Sequence, residues 1–147
     1  MKTLIRQVFT LVFLAAAAAM ATYHWHPRAP ALYAIQEPLR EDEVDVVEVQ
    51  KRWAGQVIWL DARPRDQFEV EHIPGALILN EQEFDQQLLE ILDTLQTATK
   101  PVVIYCGGQK CEASRHVREK LMSVVALDEC YVLKGGWPAW KALNVSK

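Results

Sequence analysis

One cysteine stands where a short apolar strand is predicted to end and a helix to begin. Residues 102–105 are β-branched or aromatic, Cys106 follows them directly, and a helical pattern covers residues 112–122. Backbone N–H groups in the intervening glycine-containing turn can converge on an anion above the helix N-terminus. The helix dipole and Lys110 both favour a thiolate here, so Cys106 is a candidate nucleophile. The alternative is a buried structural cysteine at a strand end.

A second thiol, Cys111, follows Cys106 by five positions. It could attack a persulfide or sulfenic acid on Cys106, release the reduced product and close a disulfide. In that case the protein is a thiol–disulfide redox protein or sensor, and Cys111 is its resolving thiol. The alternative is that Cys111 is a small apolar residue at the start of the helix, since cysteine is often simply buried.

Composition excludes several classes of function. The chain has 147 residues and a net charge of −3, with its lysines and arginines scattered among acids, so nucleic-acid binding is not expected. Three cysteines are too few, and odd in number, for a disulfide framework. The sequence has no C-x-x-C or H-x-x-x-H spacing and no phosphate-binding glycine motif, so neither a metal nor another cofactor is predicted.

The N-terminal residues predict a membrane-directed segment. Lys2 and Arg6 precede an apolar run over 8–21 that ends in a possible cleavage site, so 1–26 is predicted to be a signal peptide or membrane anchor. Residues 27–38 contain prolines and predict a linker, and residues 39–147 predict the folded domain. Either alternative places that domain in the periplasm or outside the cell, because the positive charge stays inside.

Short apolar runs alternate with helical patterns through the rest of the chain. Strands are predicted over 56–60, 76–79, 102–105 and 131–133, and helices over 47–53, 66–71, 81–95, 112–122 and 139–143. This alternation predicts an α/β fold: a small, doubly wound, mainly parallel sheet flanked by helices and preceded by an N-terminal hydrophobic helix. Such sheets form their functional crevice at the carboxyl ends of the strands, where Asp61 and Cys106 lie. On the helix over 112–122, Arg115 and Arg118 are expected to face solvent.

Three motifs in order resemble the successive signatures of a rhodanese domain. They are VIWLDARPRDQFEVEHIPGALIL, PVVIYCGG and YVLKGGWPAW, and the resemblance runs from about Leu39 to the C-terminus. It implies a doubly wound α/β fold whose loop cysteine accepts a sulfane sulfur as a persulfide and passes it on. By position, Cys106 matches that cysteine. The resemblance assigns substrate binding to a set of loop residues and one arginine, namely Gly107, Gly108, Gln109, Lys110, Cys111 and Arg63.

Two positions depart from the family pattern. Cys111 stands where an arginine is common, and Lys110 is the only cation in the loop, which weakens the case for thiosulfate as the donor. A phosphatase of this fold would need a histidine before the cysteine and an arginine closing the loop. Tyr105 and Glu112 occupy the positions flanking this loop, so phosphoester hydrolysis is not expected.

The favoured function is therefore sulfur transfer in two steps through a Cys106 persulfide. The predicted partners are a small sulfur-containing anion as donor, a thiol acceptor and, through the N-terminal segment, a membrane. Asp61 is expected to brace Arg63 and the loop, or to be a structural cap at the strand end. Besides the redox alternative, a catalytically silent binding module is conceivable, but the presence of Cys106 speaks against it.

Overall fold

The computed structural model describes residues 2–25, 38–108 and 112–145, and the chain divides into two units, residues 1–37 and 38–147. The first unit contains helix α1 (Lys2–Trp25). Its segment Thr3–Met20 is long and apolar enough to cross a membrane, although a signal sequence has the same properties. The predicted N-terminal apolar helix is thus confirmed. Of the predicted linker, only Pro38 is among the described residues.

The second unit is built on a five-stranded sheet with the order β1-β5-β4-β2-β3. The strands are β1 (Glu43–Val44), β2 (Ile58–Asp61), β3 (Leu77–Ile78), β4 (Val102–Tyr105) and β5 (Cys130–Leu133). All neighbouring strands are parallel, so their carboxyl ends lie along one edge of the sheet. The parallel α/β fold predicted from the sequence is confirmed.

Helices cover both faces of this sheet. They are α2 (Val46–Trp53), α3 (Arg65–Val70), α4 (Phe84–Gln96), α5 (Glu112–Val124) and α6 (Gly136–Val145). Leu60 and Ile104 pack against α4 and α5 on one face, while Trp59, Val103 and Tyr105 face a second cluster that includes residues of α2 and α6. All four residues of β4 are buried, as expected for a central strand covered on both sides.

Local hydrogen bonds set where the helices begin and end. The Asp45 side chain accepts from Glu48 N at 2.6 Å, so α2 begins at Val46, and Ala54 ends it at a φ of 51°. α4 begins later than predicted because the Asn80 side chain accepts from Glu83 N at 3.0 Å and caps a turn there. α6 begins three residues earlier than predicted, because a proline is tolerated in the first turn of a helix. Pro138 lacks a backbone N–H, but an N–H at that position would have no partner within the helix.

The prediction that Arg115 and Arg118 face solvent is wrong. Both side chains are half-buried beneath α5, where Arg115 Nη2 donates to Glu43 Oε1 at 2.6 Å and Arg118 Nε donates to the Cys130 carbonyl at 2.7 Å. Periodicity alone places charged residues outside, but a long side chain on the flank of a helix can reach back to the sheet edge. These arginines tie α5 to β1 and β5.

Candidate active site

Strand β4 delivers Cys106 to the carboxyl edge of the sheet, next to its neighbour β5. The Cys106 side chain is 5% exposed and lies in a small cluster with Val132 and Ala113, at the start of α5. Its Sγ donates a hydrogen bond to the carbonyl of Gly108 at 3.3 Å. The thiol therefore sits at the inner end of the turn that leads to α5, as the strand-to-helix pattern predicts.

The turn between β5 and α6 holds the backbone of Cys106. Trp137 N donates to the Cys106 carbonyl at 2.8 Å. Gly136 has a φ of 54°, and a Cβ added there would overlap with that carbonyl and lie 3.3 Å from the carbonyl oxygen of Gly108. Only glycine fits this close approach. The contact between Gly136 and Cys106 was not predicted from the sequence, because the motif KGGW was used only as part of the resemblance. The paired glycines before Trp137 were the available signal.

Beneath the loop, Asp61 and Arg63 form a buried ion pair. Arg63 donates from its backbone N and from Nε to Asp61 Oδ1 at 2.9 Å each, and from Nη2 to Oδ2 at 2.6 Å. Burial opposes the charge of Arg63, but the hydrogen bond and the charge of Asp61 outweigh it, so the pKa of Arg63 is raised. Arg63 Nη2 also donates to the Glu71 carbonyl at 2.7 Å. The guanidinium is thus directed at Asp61 and the backbone.

The aliphatic stem of Arg63 lies against the loop itself. A Cβ added at Gly107 would be 3.5 Å from Arg63 Cδ and 3.5 Å from Gln67 Oε1. The charge of Arg63 is compensated by Asp61 and its stem lies next to Gly107, while the expectation that Arg63 binds substrate stays a prediction. Asp61 accepts hydrogen bonds from both the side chain and the backbone N of Arg63, so the two expected roles, bracing and a strand-end cap, both stay predictions.

Two aromatic rings lie close to the Arg63 guanidinium. Its central carbon lies 4.7 Å from the centroid of the Trp137 ring and 5.5 Å from that of Tyr105. The Trp137 ring stacks on Trp140 at a centroid distance of 5.3 Å. The Tyr105 hydroxyl accepts from Ile73 N at 3.2 Å, and burial together with a hydrogen bond to Asp61 raises the pKa of Tyr105. This packing makes the Asp61–Arg63 pair rigid.

A second buried carboxylate, Glu43 on β1, fixes the first turn of α5. Glu43 is 7% exposed and accepts from Arg115 Nη2 at 2.6 Å and from Arg40 N at 3.3 Å. Burial acts to raise the pKa of Glu43, but these two hydrogen bonds and the positive charges of Arg115 and Lys134 outweigh it and hold that pKa below its usual value. The ion pair between Glu43 and Arg115 was not predicted from the sequence. Its only sign in the sequence was an acidic residue within a strand of two residues.

The remaining predicted site residues, Gln109, Lys110 and Cys111, lie outside the described residues. Gly107 and Gly108 are described and lie at the crevice, where both are exposed. Within residues 2–25, 38–108 and 112–145, no group of three histidine, cysteine or acidic residues could hold a metal ion. His72 donates from Nδ1 to the Phe68 carbonyl at 2.7 Å and stacks on the Phe68 ring.

Comparison with known proteins places this geometry in a family. Residues 45–143 match the rhodanese-like domain family. Thiosulfate sulfurtransferase GlpE of Coxiella burnetii is 33% identical over 88 residues, 58% of this chain and 73% of that protein. The HTH-type transcriptional regulator Rv0324 of Mycobacterium tuberculosis is 32% identical over 94 residues, 60% of this chain. The chain spans 39% of that regulator's length.

Solved structures agree on the fold. The rhodanese-like domain of an Anabaena protein has a TM-score of 0.53 and 23% identity, covering 71% of this chain and 76% of that chain. Thiosulfate sulfurtransferase from Pseudomonas aeruginosa has a TM-score of 0.55 and 24% identity, covering 80% of this chain and 21% of that chain. At these identities the likeness concerns the fold alone.

Proposed function

Since the chain belongs to the rhodanese-like domain family, we propose that it is a sulfurtransferase that carries sulfur as a persulfide on Cys106. The observation that carries this proposal is the placement of Cys106 at the carboxyl end of β4, with its backbone held by Gly136 and Trp137. The similarity to the Coxiella thiosulfate sulfurtransferase supports it. Fold alone does not imply activity, so the argument rests on the site.

The reaction has two steps. The Cys106 thiolate attacks the outer sulfur of a sulfane donor, the donor's S–S bond breaks, and the remainder leaves with the bonding electron pair. In the second step a thiophilic acceptor, such as a thiol, attacks the outer sulfur of the persulfide and restores the thiolate. This is a ping-pong scheme with a covalent intermediate and no external oxidant.

The loop after Cys106 supplies the proposed binding site. We assign its amides, from Gly107 and Gly108 through Gln109, Lys110 and Cys111, to holding the persulfide anion without giving it a proton. Lys110 adds one positive charge for an anionic donor. The Asp61–Arg63 pair supports Gly107 from below, so Arg63 acts as a positioning residue for this loop.

The N-terminal helix bears on where the reaction takes place. α1 is long and apolar enough for a membrane anchor or a signal sequence, with Lys2 and Arg6 before the apolar run. We propose that the domain is membrane-anchored or exported and faces the periplasm or exterior, following the distribution of positive charge. Its acceptor would then be a thiol in that compartment.

Steady-state turnover of the full chain in mild detergent tests the proposal. With a sulfane donor and cyanide as acceptor, thiocyanate should form with ping-pong kinetics. The Cys106→Ser variant should lose at least ~1000-fold in kcat/KM, because no other group replaces the nucleophile. Cys130→Ser, a second buried cysteine changed in the same way, should stay within about twofold.

Unchanged turnover in Cys106→Ser would remove Cys106 from the mechanism. A disulfide between Cys106 and Cys111, formed in place of the persulfide, would support the redox alternative. That alternative depends on Cys111 and stays a prediction from the sequence.

A further inference from the structure

Helix α3 presents a glutamine side chain to the turn that follows Cys106. We infer that Gln67 determines which sulfur acceptors react fastest, because its carboxamide forms hydrogen bonds to a peptide group next to the acceptor's thiol. The favoured acceptor is then a cysteine within a peptide or protein rather than a small thiol without amides. This inference rests on the proposed sulfurtransferase activity and concerns its second step.

Gln67 lies beside the first residue after the nucleophile. A Cβ added at Gly107 would be 3.5 Å from Gln67 Oε1, and both residues are exposed. Because Gly107 has no side chain, the space in front of the carboxamide stays open. The outer sulfur of a persulfide lies about 2 Å beyond Cys106 Sγ. An acceptor that approaches this sulfur across Gly107 therefore meets the Gln67 carboxamide.

Other polar side chains on this side of the crevice already have partners. The Arg63 guanidinium donates to Asp61 and to the Glu71 carbonyl, and the Glu71 carboxylate accepts from Lys141 at 2.7 Å. The Gln67 side chain, in contrast, makes no hydrogen bond within the part of the chain that the structure describes. Its amide hydrogens and its oxygen can thus both bind a ligand.

A buried polar network fixes the chain where it enters α3. Asn80 Nδ2 donates to the Arg63 carbonyl at 3.3 Å, and Asn80 N donates to Gln87 Oε1 at 2.7 Å. Asn80 and Gln87 are 1% and 0% exposed. Gln67 N donates to the Pro64 carbonyl at 3.1 Å, so the backbone that carries the carboxamide is already ordered. Binding an acceptor there therefore costs little additional ordering of the protein.

An exposed apolar side chain lies next to Gln67 on α3. Val70 follows it by three positions and is 85% exposed. Residues three positions apart share a face of a helix, so the carboxamide and this apolar side chain are neighbours. A peptide supplies an N–H and a C=O for Gln67 and apolar carbon for Val70. A small inorganic anion has no apolar surface to offer.

The transfer step balances for a peptide thiol. Its thiolate attacks the outer sulfur of the Cys106 persulfide, and the S–S bond to Cys106 Sγ breaks. The bonding electron pair stays on Cys106, which returns to the thiolate. The acceptor leaves as its own persulfide, so the step needs no external oxidant or reductant.

Acceptors with and without peptide groups test the inference. The full chain in mild detergent is loaded with polysulfide, the excess is removed, and the loss of the persulfide is followed by intact mass. N-acetylcysteinamide has a peptide group on each side of its thiol-bearing carbon, whereas 2-mercaptoethanol has none. The rate constants for both thiols are measured for each variant at the same pH. Their difference in intrinsic reactivity then cancels when variants are compared.

The substitution Gln67→Met keeps the size of the side chain and removes its hydrogen-bonding groups. It should lower the ratio of the N-acetylcysteinamide rate constant to the 2-mercaptoethanol rate constant by about three- to tenfold, the effect of one neutral hydrogen bond. Gln86→Met makes the same change at another exposed glutamine, on α4, and should leave this ratio unchanged.

The outcomes separate this inference from the function on which it rests. An unchanged ratio in Gln67→Met, whether both rate constants stay the same or fall together, would overturn the role of Gln67 in acceptor choice and leave sulfur transfer intact. If neither polysulfide nor thiosulfate forms a persulfide on Cys106 of the unmodified chain, the proposed function is overturned together with the inference.

Discussion

Cys106 and Cys130 are two buried thiols on neighbouring strands, but they lie at opposite ends of the sheet. Cys106 is 5% exposed and follows the last residue of β4, whereas Cys130 is 4% exposed and is the first residue of β5. Val102 at the start of β4 pairs in register with Cys130. Burial raises the pKa of Cys130 to about 11, with a smaller opposing effect of Arg118.

The difference between these thiols lies in the backbone around them. Cys130 is surrounded by apolar side chains of the core and continues directly into a strand. Cys106 leads into a glycine turn, and its carbonyl is held by Trp137 N. The two thiols are thus equally buried but lie in different environments. We expect only the environment of Cys106 to support nucleophilic chemistry.

The most direct test of the difference between the two thiols is to measure how fast each one reacts. At about pH 7, a pKa of about 11 leaves roughly one Cys130 in 10⁴ as thiolate. Iodoacetamide should therefore label Cys106 at least ~100-fold faster than Cys130, as quantified by peptide mass spectrometry after timed quenching. Between about pH 7 and pH 9 the labelling of Cys130 should rise by roughly 100-fold as its thiolate fraction increases. Equal labelling rates at neutral pH would contradict the distinction between the two thiols.

Gly136→Ala should disturb the backbone at Cys106 and leave that at Cys130 unchanged. The new Cβ would overlap with the Cys106 carbonyl, so the loop must move and labelling of Cys106 should slow by at least ~10-fold. The positive φ adds about 1–2 kcal/mol of strain, so the free energy of unfolding should fall by more than that amount.

Gly75→Ala is the matched control for that variant. Gly75 also has a positive φ, of 80°, but a Cβ there meets no heavy atom within 4 Å. It should cost about 1–2 kcal/mol in a urea titration and leave the labelling of Cys106 unchanged. Equal labelling rates in both variants would mean that the contact with Gly136 does not position the thiol.

Asp61→Asn should affect the Cys106 thiol less than Gly136→Ala does, and its main effect should be on the stability of the fold. It leaves the buried Arg63 guanidinium without its counter-charge, which should lower the free energy of unfolding by about 3–5 kcal/mol. Urea titration of the full chain in mild detergent, followed by tryptophan fluorescence, measures this loss. Arg65→Gln removes an exposed ion pair and should change stability little. A similar small change in both variants would show that the Asp61–Arg63 pair does not hold the loop.

Short-range patterns were sufficient to predict most of the fold. The four buried residues of β4 form a continuous apolar run, and the strand was predicted at its observed bounds. α4 begins later than predicted because the Asn80 side chain accepts from Glu83 N in the turn before it, and α6 begins earlier because Pro138 is tolerated in its first turn. Neither feature leaves a periodic signal in the sequence.

The parts of the candidate site formed by residues close together in sequence were predicted. The contacts between residues far apart in sequence were not predicted. Cys106 with its glycines, and Asp61 with Arg63, are local motifs. Glu43 meets Arg115 across 72 positions of sequence, and Trp137 N meets the Cys106 carbonyl from another turn. The sheet order β1-β5-β4 brings these residues together, and that order follows from packing rather than from any one segment.

Intact mass of the full chain before and after incubation with a sulfane-sulfur donor tests the central claim most directly. The account predicts a gain of one sulfur atom that peptide mapping places on Cys106, that cyanide removes, and that Cys106→Ser abolishes while Cys130→Ser retains it. A sulfur atom that maps to Cys130, or a gain that persists in Cys106→Ser, would contradict the assignment of Cys106 as the sulfur carrier.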